Sequence, residues 1–515
     1  MLYRLLLKFS RTRCRSQRHL FYIIAFVIVL AVVIAVVNFN QLQCLRIQND
    51  FFVDKKEKRS PYLPTAWIQG SLSSKNNDPN GYLKNVYSVF QQIGFTFGDK
   101  SSDWLVMWSH DYPFEHWHED MVKLKPNQRV NHFPGSGYIT NKVNLAQSKF
   151  TFIPISFELP LKRAEFINFA TQNKNIQWVQ KGSKHRGIQI KKYEDIDLNT
   201  NGTFVQEYVS NPFLVDGSKF DIGIYTVITA IDPLRVYCID GEALFRFCPQ
   251  EYYPFNASIL DKYVVADEYL PLWKIPSLKK FYSNQGLTFK NAFNSYLLQH
   301  GENPEIVWNK MYNAIQKVIL MKEQDIIQLV KHYQSKRNFF EMMRFDFVLD
   351  ENLNIYLMEA NMSPNLSSDH FKENARLYKH VIFNLLNLVG ISHFPRTFLL
   401  NLKDKLSLHV SARDIQVLPR LCLRLVCISN CSQIACRLCK HCLNQDLMTD
   451  LKIAYLEHLH RGTAKRIFPP TILQSMAYTW TPEATWPVLM HLNVKNQLIY
   501  MWFIGKCQQD IGWCN

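Results

Sequence analysis

Acidic residues are scarce in this chain of 515 residues, and internal repeats and long low-complexity tracts are absent from its sequence. The 43 Asp and Glu residues against 59 Lys and Arg leave a net charge of +16. Such a balance suits an acidic partner, such as a Glu-rich protein tail, a nucleic acid or an anionic membrane, or else reflects only a solvated basic surface. The lack of repeats excludes a solenoid, and the apolar fraction of 47% excludes a disordered chain.

Charge is missing altogether from one long stretch near the N-terminus. Eighteen uncharged and almost wholly apolar residues run from Leu20 to Val37, and no Lys, Arg, Asp or Glu follows until Arg46. At 1.5 Å per residue this run is long enough to cross the hydrocarbon core of a bilayer. Because no small-x-small cleavage site follows Asn38, we predict a signal-anchor helix over 20–38 rather than a cleaved signal peptide.

The flanking charges predict the orientation of this helix. Six basic residues precede it within a basic tail at 1–19, whereas only Arg46 lies close behind it in a polar stalk at 39–61. The positive-inside bias therefore favours a cytoplasmic N-terminus and a luminal or extracellular folded part, as in a type II single-pass membrane protein. Glycosylation sequons agree with this placement, although so loose a motif also arises by chance. The sequons lie at Asn201, Asn256, Asn365 and Asn430.

Cysteine is unevenly distributed, since six of the 12 cysteines fall within residues 422–442. In an oxidising compartment such crowding predicts disulfides, and in a reducing one it predicts a zinc site or free thiols. The run CRLCKHC holds two CxxC steps that share Cys439, unlike the separated pairs of a zinc ribbon. We favour disulfides, given the predicted topology, and keep zinc or free thiols as alternatives.

A run of strand patterns followed by helix patterns occupies the middle of the chain, and we predict an α+β fold. Short β-branched and aromatic runs indicate strands at 204–209, 220–231 and 234–239. Apolar residues at helical spacing predict two amphipathic helices within 305–340. We place one domain at 62–395 and a Cys-rich, helical C-terminal region at 396–515.

A predicted hairpin holds the most informative polar residues. Glu359 and Asn361 lie two residues apart on its second strand, so they share a face, and Asp346 on the first strand falls roughly opposite Leu357 to Glu359. Three oxygen donors can therefore converge at one end of a cleft, and Mg2+ bound to nucleotide phosphates takes few ligands of this kind. From spacing alone, a plain hairpin with a polar solvent face is the alternative.

The whole segment FFEMMRFDFVLDENLNIYLMEANMSPNL resembles the metal-binding hairpin that closes the domain of tubulin-tyrosine-ligase-like proteins. Further motifs follow in the order of that family, and together they span roughly residues 100–395. The resemblance implies an ATP-grasp-type fold that holds nucleotide between two β-rich lobes. The motifs are RVNHFPGSGYITNKVNL at 129–145, WVQKGSKHRGIQI at 178–190, VQEYVSNPFLVDGSKFDI at 205–222 and PLRVYCIDGEALFRF at 233–247.

The resemblance also implies roles for individual residues. Asp346, Glu359 and Asn361 correspond to the family's Mg2+ ligands, while Lys142 and Arg246 correspond to catalytic residues that face phosphates or substrate. Asn361 also lies in a sequon, but we expect no glycan there because a metal ligand inside a cleft is a poor acceptor. The residues implied to bind ATP are Lys181, Gly187, Gln206, Glu207, Tyr208, Val209, Lys219 and Asp221.

The activity implied by the resemblance is an ATP-dependent ligation. ATP phosphorylates a carboxylate of an acidic protein, and a free amino acid such as glutamate or glycine attacks the acyl phosphate to form an amide. The acceptor is a tubulin-like tail by resemblance, or an unknown luminal protein if the predicted topology holds, because tubulin is cytosolic. We expect ATP, Mg2+ and a membrane as partners, and no nucleic acid.

The sequence departs from the family pattern in three places. Gly223 stands where the family motif KFDLR has an arginine, a His-Leu-Thr-Asn block is missing near 262–273, and Val143 replaces a common acidic residue. The alternative function is therefore a catalytically impaired nucleotide-binding or scaffolding member. Another cation in the space vacated at Gly223 would favour the enzyme, and the candidates are Arg235, Arg246 and Arg344.

Overall fold

The computed structural model describes residues 63–71, 81–182, 188–265, 268–393, 402–481 and 487–515. The predicted basic tail, membrane helix and stalk lie outside these residues, as do Gly187 and the predicted domain limit near 395. Within the described ranges, no helix is both long and apolar enough to span a bilayer.

The strands of the described chain form three sheets. They are β1 Thr65–Gln69, β2 Thr96–Gly98, β3 Val106–Ser109, β4 Arg129–Val130, β5 Ser156–Leu159, β6 Trp178–Gly182, β7 Gln189–Lys191, β8 Thr203–Glu207, β9 Phe220–Ile231, β10 Leu234–Ile239, β11 Leu244–Phe247, β12 Leu270–Pro271, β13 Glu341–Leu349, β14 Ile355–Asn361 and β15 Ala464–Phe468.

The α-helices lie between and after these strands. They are α1 Lys84–Gln92, α2 Pro113–His116, α3 His118–Val122, α4 Gly137–Thr140, α5 Lys142–Ala146, α6 Arg163–Gln172, α7 Pro276–Lys279, α8 Phe289–Gln299, α9 Pro304–Val330, α10 Asn374–Leu388, α11 Leu402–His409, α12 Pro419–Cys422, α13 Leu425–Ser429, α14 Gln445–Leu459, α15 Gln474–Thr479, α16 Pro487–Met490 and α17 Val494–Gln509.

The first two sheets differ in direction and packing. The order β2-β1-β3-β4 is parallel throughout, whereas β5-β8-β6-β7 is antiparallel. Alternation along β6 sends Trp178 into a core with Phe166 of α6 and sends Val179 to the other face, beside Tyr208. One face of this antiparallel sheet is therefore covered by a helix, and the other borders the cleft.

The third sheet is central, and its strands run β12-β11-β9-β10-β15, with β13 pairing β9 and β14. All twelve residues of β9 but Ala230 are buried, as are all nine of β13, so the charged residues that these two strands carry are buried with the apolar ones. The last strand, β15, pairs antiparallel with β10 and comes from the C-terminal region. That region therefore completes the central sheet.

The predicted hairpin is confirmed, but the prediction of two helices within 305–340 is wrong. A single helix, α9, spans 27 residues from a proline at its first position, after Asn303, whose side chain accepts a hydrogen bond from the amide of Glu305. The polar stretch Lys322 to Asp325 separates the two apolar patterns, but it contains good helix formers and no Gly or Pro. The helix therefore continues through it.

The cysteine cluster forms disulfides, as we favoured from the sequence. The pairs are Cys422–Cys439, Cys427–Cys436 and Cys431–Cys442, and a fourth joins Cys507 to Cys514. His441 lies close to the sulfurs of Cys431 and Cys442, but those two are bonded to each other, so they offer no thiolates to zinc. The bridges surround a C-terminal core that is separate from that of the central sheet.

Candidate active site

The predicted metal ligands lie at the edge of the cleft where β9, β11, β13 and β14 meet. The register pairs Asp346 with Glu359 on one side and with Gly223 on the other, and a bulge follows directly after Asp346. Asp221 lies opposite Arg246 on β11. Strand pairing alone thus gathers residues that are far apart in the chain.

Asp346, Glu359 and Asn361 converge as the sequence predicted. The Asn361 amide nitrogen lies 3.2 Å from Oδ2 of Asp346 and 3.1 Å from Oε1 of Glu359. Rotating this amide by 180° would present a third oxygen, because its two ends are nearly isosteric. The donor set is then the hard oxygen set that Mg2+ prefers, so these residues fit the metal.

Positive side chains already balance these acids. Asp346 accepts hydrogen bonds at 2.7 and 2.8 Å from Arg344 and at 3.0 Å from Arg246. Arg246 also donates two bonds to Asp221, at 2.9 and 2.7 Å. Burial would raise the pKa of Glu359, but the ammonium of Lys142 at 3.2 Å and the Asn361 hydrogen bond lower it to about 2. This carboxylate is ionised at neutral pH.

Lys181 and Lys219 have neutral partners instead. Nζ of Lys181 donates to Oε1 of Gln206 at 2.9 Å, and Nζ of Lys219 donates to the Tyr208 hydroxyl at 3.3 Å. Lys219 also lies over the Tyr208 ring, 4.4 Å from its centre. Burial lowers the pKa of both lysines to about 8. These two ammonium groups are suited to receive an anion such as a polyphosphate.

The segment 206–209, which the resemblance implies binds ATP, is only partly free to bind the adenine base. The Glu207 and Tyr208 amides already donate to the carbonyls of Ile155 and Gln177. The side chain of Gln206 is bonded to Lys181. Among the described residues the amide of Val209 donates no hydrogen bond, so it can meet a base edge. The sequence analysis did not predict the aromatic cluster beside Tyr208, which includes Tyr252 and Tyr263. The aromatic run EYYPF at 251–255 indicated part of this cluster.

The segment that carries Lys142 is fixed to the central sheet by a buried pair. Nδ1 of His132 lies 2.8 Å from Oε1 of Glu341 at the start of β13, and both side chains are almost fully buried. Burial opposes the charge on His132, but Glu341 raises the pKa of this histidine. The amide of Phe133 also donates to Glu341, at 3.2 Å. Lys142, at the start of the nearby helix α5, is thereby placed beside Glu359.

One of the three candidate cations fills the space at Gly223. A Cβ atom on Gly223 would lie 2.8 Å from Cδ and 3.2 Å from Nε of Arg344. Arg235 is elsewhere, bonded to Glu457 of α14 at 2.7 and 3.0 Å, and Arg246 is bonded to Asp221. A guanidinium is therefore present beside the cleft acids, but it comes from β13 and not from β9.

Comparison with known proteins agrees with this geometry. The Tubulin-tyrosine ligase family matches residues 120–405. The protein described as "Probable tubulin polyglutamylase ttll-15" of Caenorhabditis elegans is 38% identical over 469 residues, which cover 89% of this chain and 88% of that relative. The human "Tubulin monoglutamylase TTLL4" is 31% identical over 326 residues, or 59% of this chain and 26% of the relative.

A third relative, the mouse "Tubulin polyglutamylase TTLL6", is 29% identical over 371 residues, which cover 66% of this chain and 43% of that protein. The chain thus spans most of the nematode relative but less than half of the two mammalian proteins. The mixed helices and sheets agree with the expected ATP-grasp-like fold. The chain belongs to the tubulin-tyrosine ligase family.

Proposed function

We propose that this protein is an ATP- and Mg2+-dependent ligase that joins glutamate to a carboxylate of an acidic protein. The observation that supports this proposal most strongly is that an acid cluster that fits Mg2+ lies near the buried Lys219 and the half-buried Lys181, whose hydrogen-bond partners are neutral. Relatives described as tubulin monoglutamylase and polyglutamylases support glutamate as the amine and an acidic tail as the acceptor. The net charge of +16 suits such a tail.

The chemistry balances as a two-step amide synthesis. An acceptor carboxylate oxygen attacks the γ-phosphorus of ATP and releases ADP, and the amine of glutamate then attacks the acyl carbon and releases phosphate and a proton. Asp346, Glu359 and Asn361 would hold Mg2+, which would offset the negative charge of the transferring phosphate. Lys181 and Lys219 hold two positive charges on the phosphate side of the cleft, and Arg246 holds Asp221 in place.

The alternative of a scaffold without catalysis loses its main support. That alternative rested on Gly223, which removes a guanidinium from β9. Arg344 lies across this glycine and donates two hydrogen bonds to Asp346. The charge expected at this point of the cleft is therefore supplied by another strand, which favours the enzyme.

We also propose that the protein is a single-pass membrane protein whose folded part faces an oxidising compartment. The apolar run from Leu20 to Val37 and the basic residues before it support the anchor and its direction. The disulfides at 422–442 support the compartment, since such bridges persist in secretory spaces. On this topology the acceptor is an acidic luminal or extracellular protein.

The test is Mg2+-dependent ATP binding by the secreted 60–515 fragment, measured by isothermal titration calorimetry. We expect saturable binding that Glu359→Gln weakens by about two orders of magnitude, since it removes a charged metal ligand. Glu165→Gln, at an exposed position on α6, is the matched control and should bind as the wild type does. A folded wild-type fragment that binds no Mg2+–ATP would refute the proposal.

A further inference from the structure

Arg344 reaches the acid cluster along a path that only glycine leaves open. Its stem passes so close to Gly223 that a Cβ atom there would be 2.8 Å from Cδ, which is closer than real Cβ contacts come. The Arg344 side chain is only 7% exposed, and both Nε and Nη2 are directed at Asp346. The place of this guanidinium therefore depends on residue 223.

Arg344 has few groups to compensate its charge. Within the described chain, Asp346 is the one carboxylate within 4.0 Å of it. Asp221 contributes at longer range but is held by two bonds from Arg246. The hydroxyl of Tyr225 is fully buried and faces Arg344 from β9. The site thus holds a buried guanidinium with one acid at ion-pair distance and one tyrosine hydroxyl beside it.

Asp346 is also a predicted metal ligand, so Mg2+ and Arg344 compete for its carboxylate oxygens. If Asp346 turns to Mg2+, Arg246 keeps Asp221 as a partner, whereas Arg344 has no second acid within 4.0 Å among the described residues. A buried guanidinium without a counter-charge is strongly unfavourable, so an anion from outside the chain is needed. The planar fork of arginine fits a carboxylate with two parallel hydrogen bonds.

Two anions could meet this need, the terminal phosphate of ATP and the carboxylate of the amino acid. The surroundings favour the carboxylate. Arg344 shares the electrostatic neighbours Asp221 with Lys219 and Glu359 with Lys181. Unlike the two lysines, it also has Tyr225 and, on α10, Tyr378 as neighbours. The phosphates have those two lysines, and Arg344 is left for the second substrate.

We propose that Arg344 binds a carboxylate of the incoming amino acid and that Gly223 is the residue that makes room for it. This inference rests on the proposed ligase function and adds a specificity-determining residue to it. Arg344 holds Asp346 before the substrates arrive and exchanges it for the substrate carboxylate. The amino acid is then fixed beside the acids that hold the metal.

The test uses the full-length protein in detergent, saturated with Mg2+ and the non-hydrolysable nucleotide AMP-PNP. L-glutamate and glycine are titrated into wild type, Arg344→Gln and the reciprocal variant Gly223→Arg/Arg344→Gly. We expect Arg344→Gln to weaken glutamate binding by at least about tenfold, as loss of a buried charged contact does. AMP-PNP affinity should stay within about threefold of the wild type, because the lysines hold the phosphates.

The reciprocal variant separates charge from packing. The Cβ atom of an arginine at position 223 would lie in the volume that the Arg344 side chain occupies in the wild type, 3.1 Å from Oδ1 of Asp346. This arginine should therefore restore most of the glutamate affinity. Arg344→Lys keeps the charge without the fork and should fall between wild type and Arg344→Gln. The control is Arg163→Gln, at an exposed arginine bonded to Asn199, which should have no effect.

The outcomes are distinct. Equal glutamate affinity in wild type and Arg344→Gln, or a loss confined to AMP-PNP, would overturn this inference and leave the proposed ligase standing. Nucleotide binding by the wild type without binding of either amino acid would also overturn it. Absence of AMP-PNP binding in folded wild type would refute both. A loss for glycine as well as glutamate would place Arg344 on the α-carboxylate, and a loss for glutamate alone would place it on the side chain.

Discussion

The two halves of the cleft balance their buried charges differently. In the acid half, Asp221, Asp346 and Glu359 each face an arginine or lysine at ion-pair distance. In the lysine half, Lys181 donates a hydrogen bond to the side-chain amide oxygen of Gln206, and Lys219 donates one to the hydroxyl of Tyr208. The acid half is stable without ligands and must exchange partners to bind a metal. The lysine half has an excess of positive charge that a ligand would relieve.

The comparison predicts opposite effects on stability when one charge is removed from each half. Asp346→Asn leaves two buried guanidinium groups without this acid, so the free energy of unfolding should fall by about 3–5 kcal/mol. Chemical denaturation of the 60–515 fragment measures it. Asp325→Asn, at an exposed acid on α9, should change stability by less than about 0.5 kcal/mol. A small effect of Asp346→Asn would mean that its pairs are not stabilising.

Lys219→Met should do the reverse and stabilise the free protein. The pKa of Lys219 falls from 10.5 to about 8 because the ammonium is buried. At about 1.4 kcal/mol per pKa unit, charge on this lysine costs about 3 kcal/mol of folding free energy below pH 8. ATP affinity should fall by about two orders of magnitude, because a phosphate contact in a dry site is lost.

The sign follows from proton binding. Between pH 8 and 10.5 the folded protein binds fewer protons at Lys219 than the unfolded chain does, so wild-type stability rises across that window. The Lys219→Met variant should lack this rise. Lys174→Met, at an exposed lysine, is the control. Loss of both stability and ATP affinity in Lys219→Met would contradict the contrast between the two halves.

The disulfide region tests whether this contrast is confined to the cleft. Cys427→Ser/Cys436→Ser opens a loop with a sequence separation of 9, and should lower unfolding free energy by about 2–3 kcal/mol through the entropy of the unfolded chain. ATP affinity of the folded variant should equal that of wild type, since these cysteines belong to the separate C-terminal core. Changed affinity in the folded variant would show that this core also shapes the cleft.

The lysine half also determines the expected pH dependence of ATP binding. Above pH 8, Lys181 and Lys219 lose protons in the free protein, so affinity should fall by up to about tenfold per pH unit for each lysine that binds phosphate. Between pH 8 and about pH 7 affinity should be flat, because Glu359, with a pKa of about 2, stays ionised and Asp221, whose pKa burial raises to about 6, is still largely ionised. Calorimetry in two buffers of different ionisation enthalpy measures the proton uptake on ATP binding. A constant affinity up to pH 9.5 would argue against phosphate binding by these lysines.

Local patterns were sufficient where the interacting residues are neighbours in the chain. The hairpin and the shared face of Glu359 and Asn361 follow from short spacings, whereas the disulfides within 422–442 were favoured from the crowding of the cysteines together with the predicted topology. The single helix α9 was missed because two apolar patterns were treated as two elements, although nothing between them breaks a helix. The addition of β15 to the central sheet was missed because no local pattern encodes which distant strand it pairs with.

The candidate site divides in the same way. The sequence motifs identified the acidic residues and the lysines of the site. The hydrogen bond between Lys181 and Gln206, however, depends on the pairing of β6 with β8. The hydrogen bonds that the Glu207 and Tyr208 amides donate also depend on neighbouring strands. The sequence showed that Gly223 departs from the family pattern. That this glycine makes room for a guanidinium became clear only from the position of Arg344 on the adjacent strand.

The sequence by itself determined the family motifs in their order, the face on which Glu359 and Asn361 lie, and the crowding of cysteines that form bridges. These are consequences of strand periodicity and of short loops. Only the tertiary structure decided that Arg344 replaces a guanidinium at Gly223, because β9 and β13 are far apart in the chain and their register places Asp346 beside that glycine. Strand pairing, which is non-local, brings charges together that no sequence window contains.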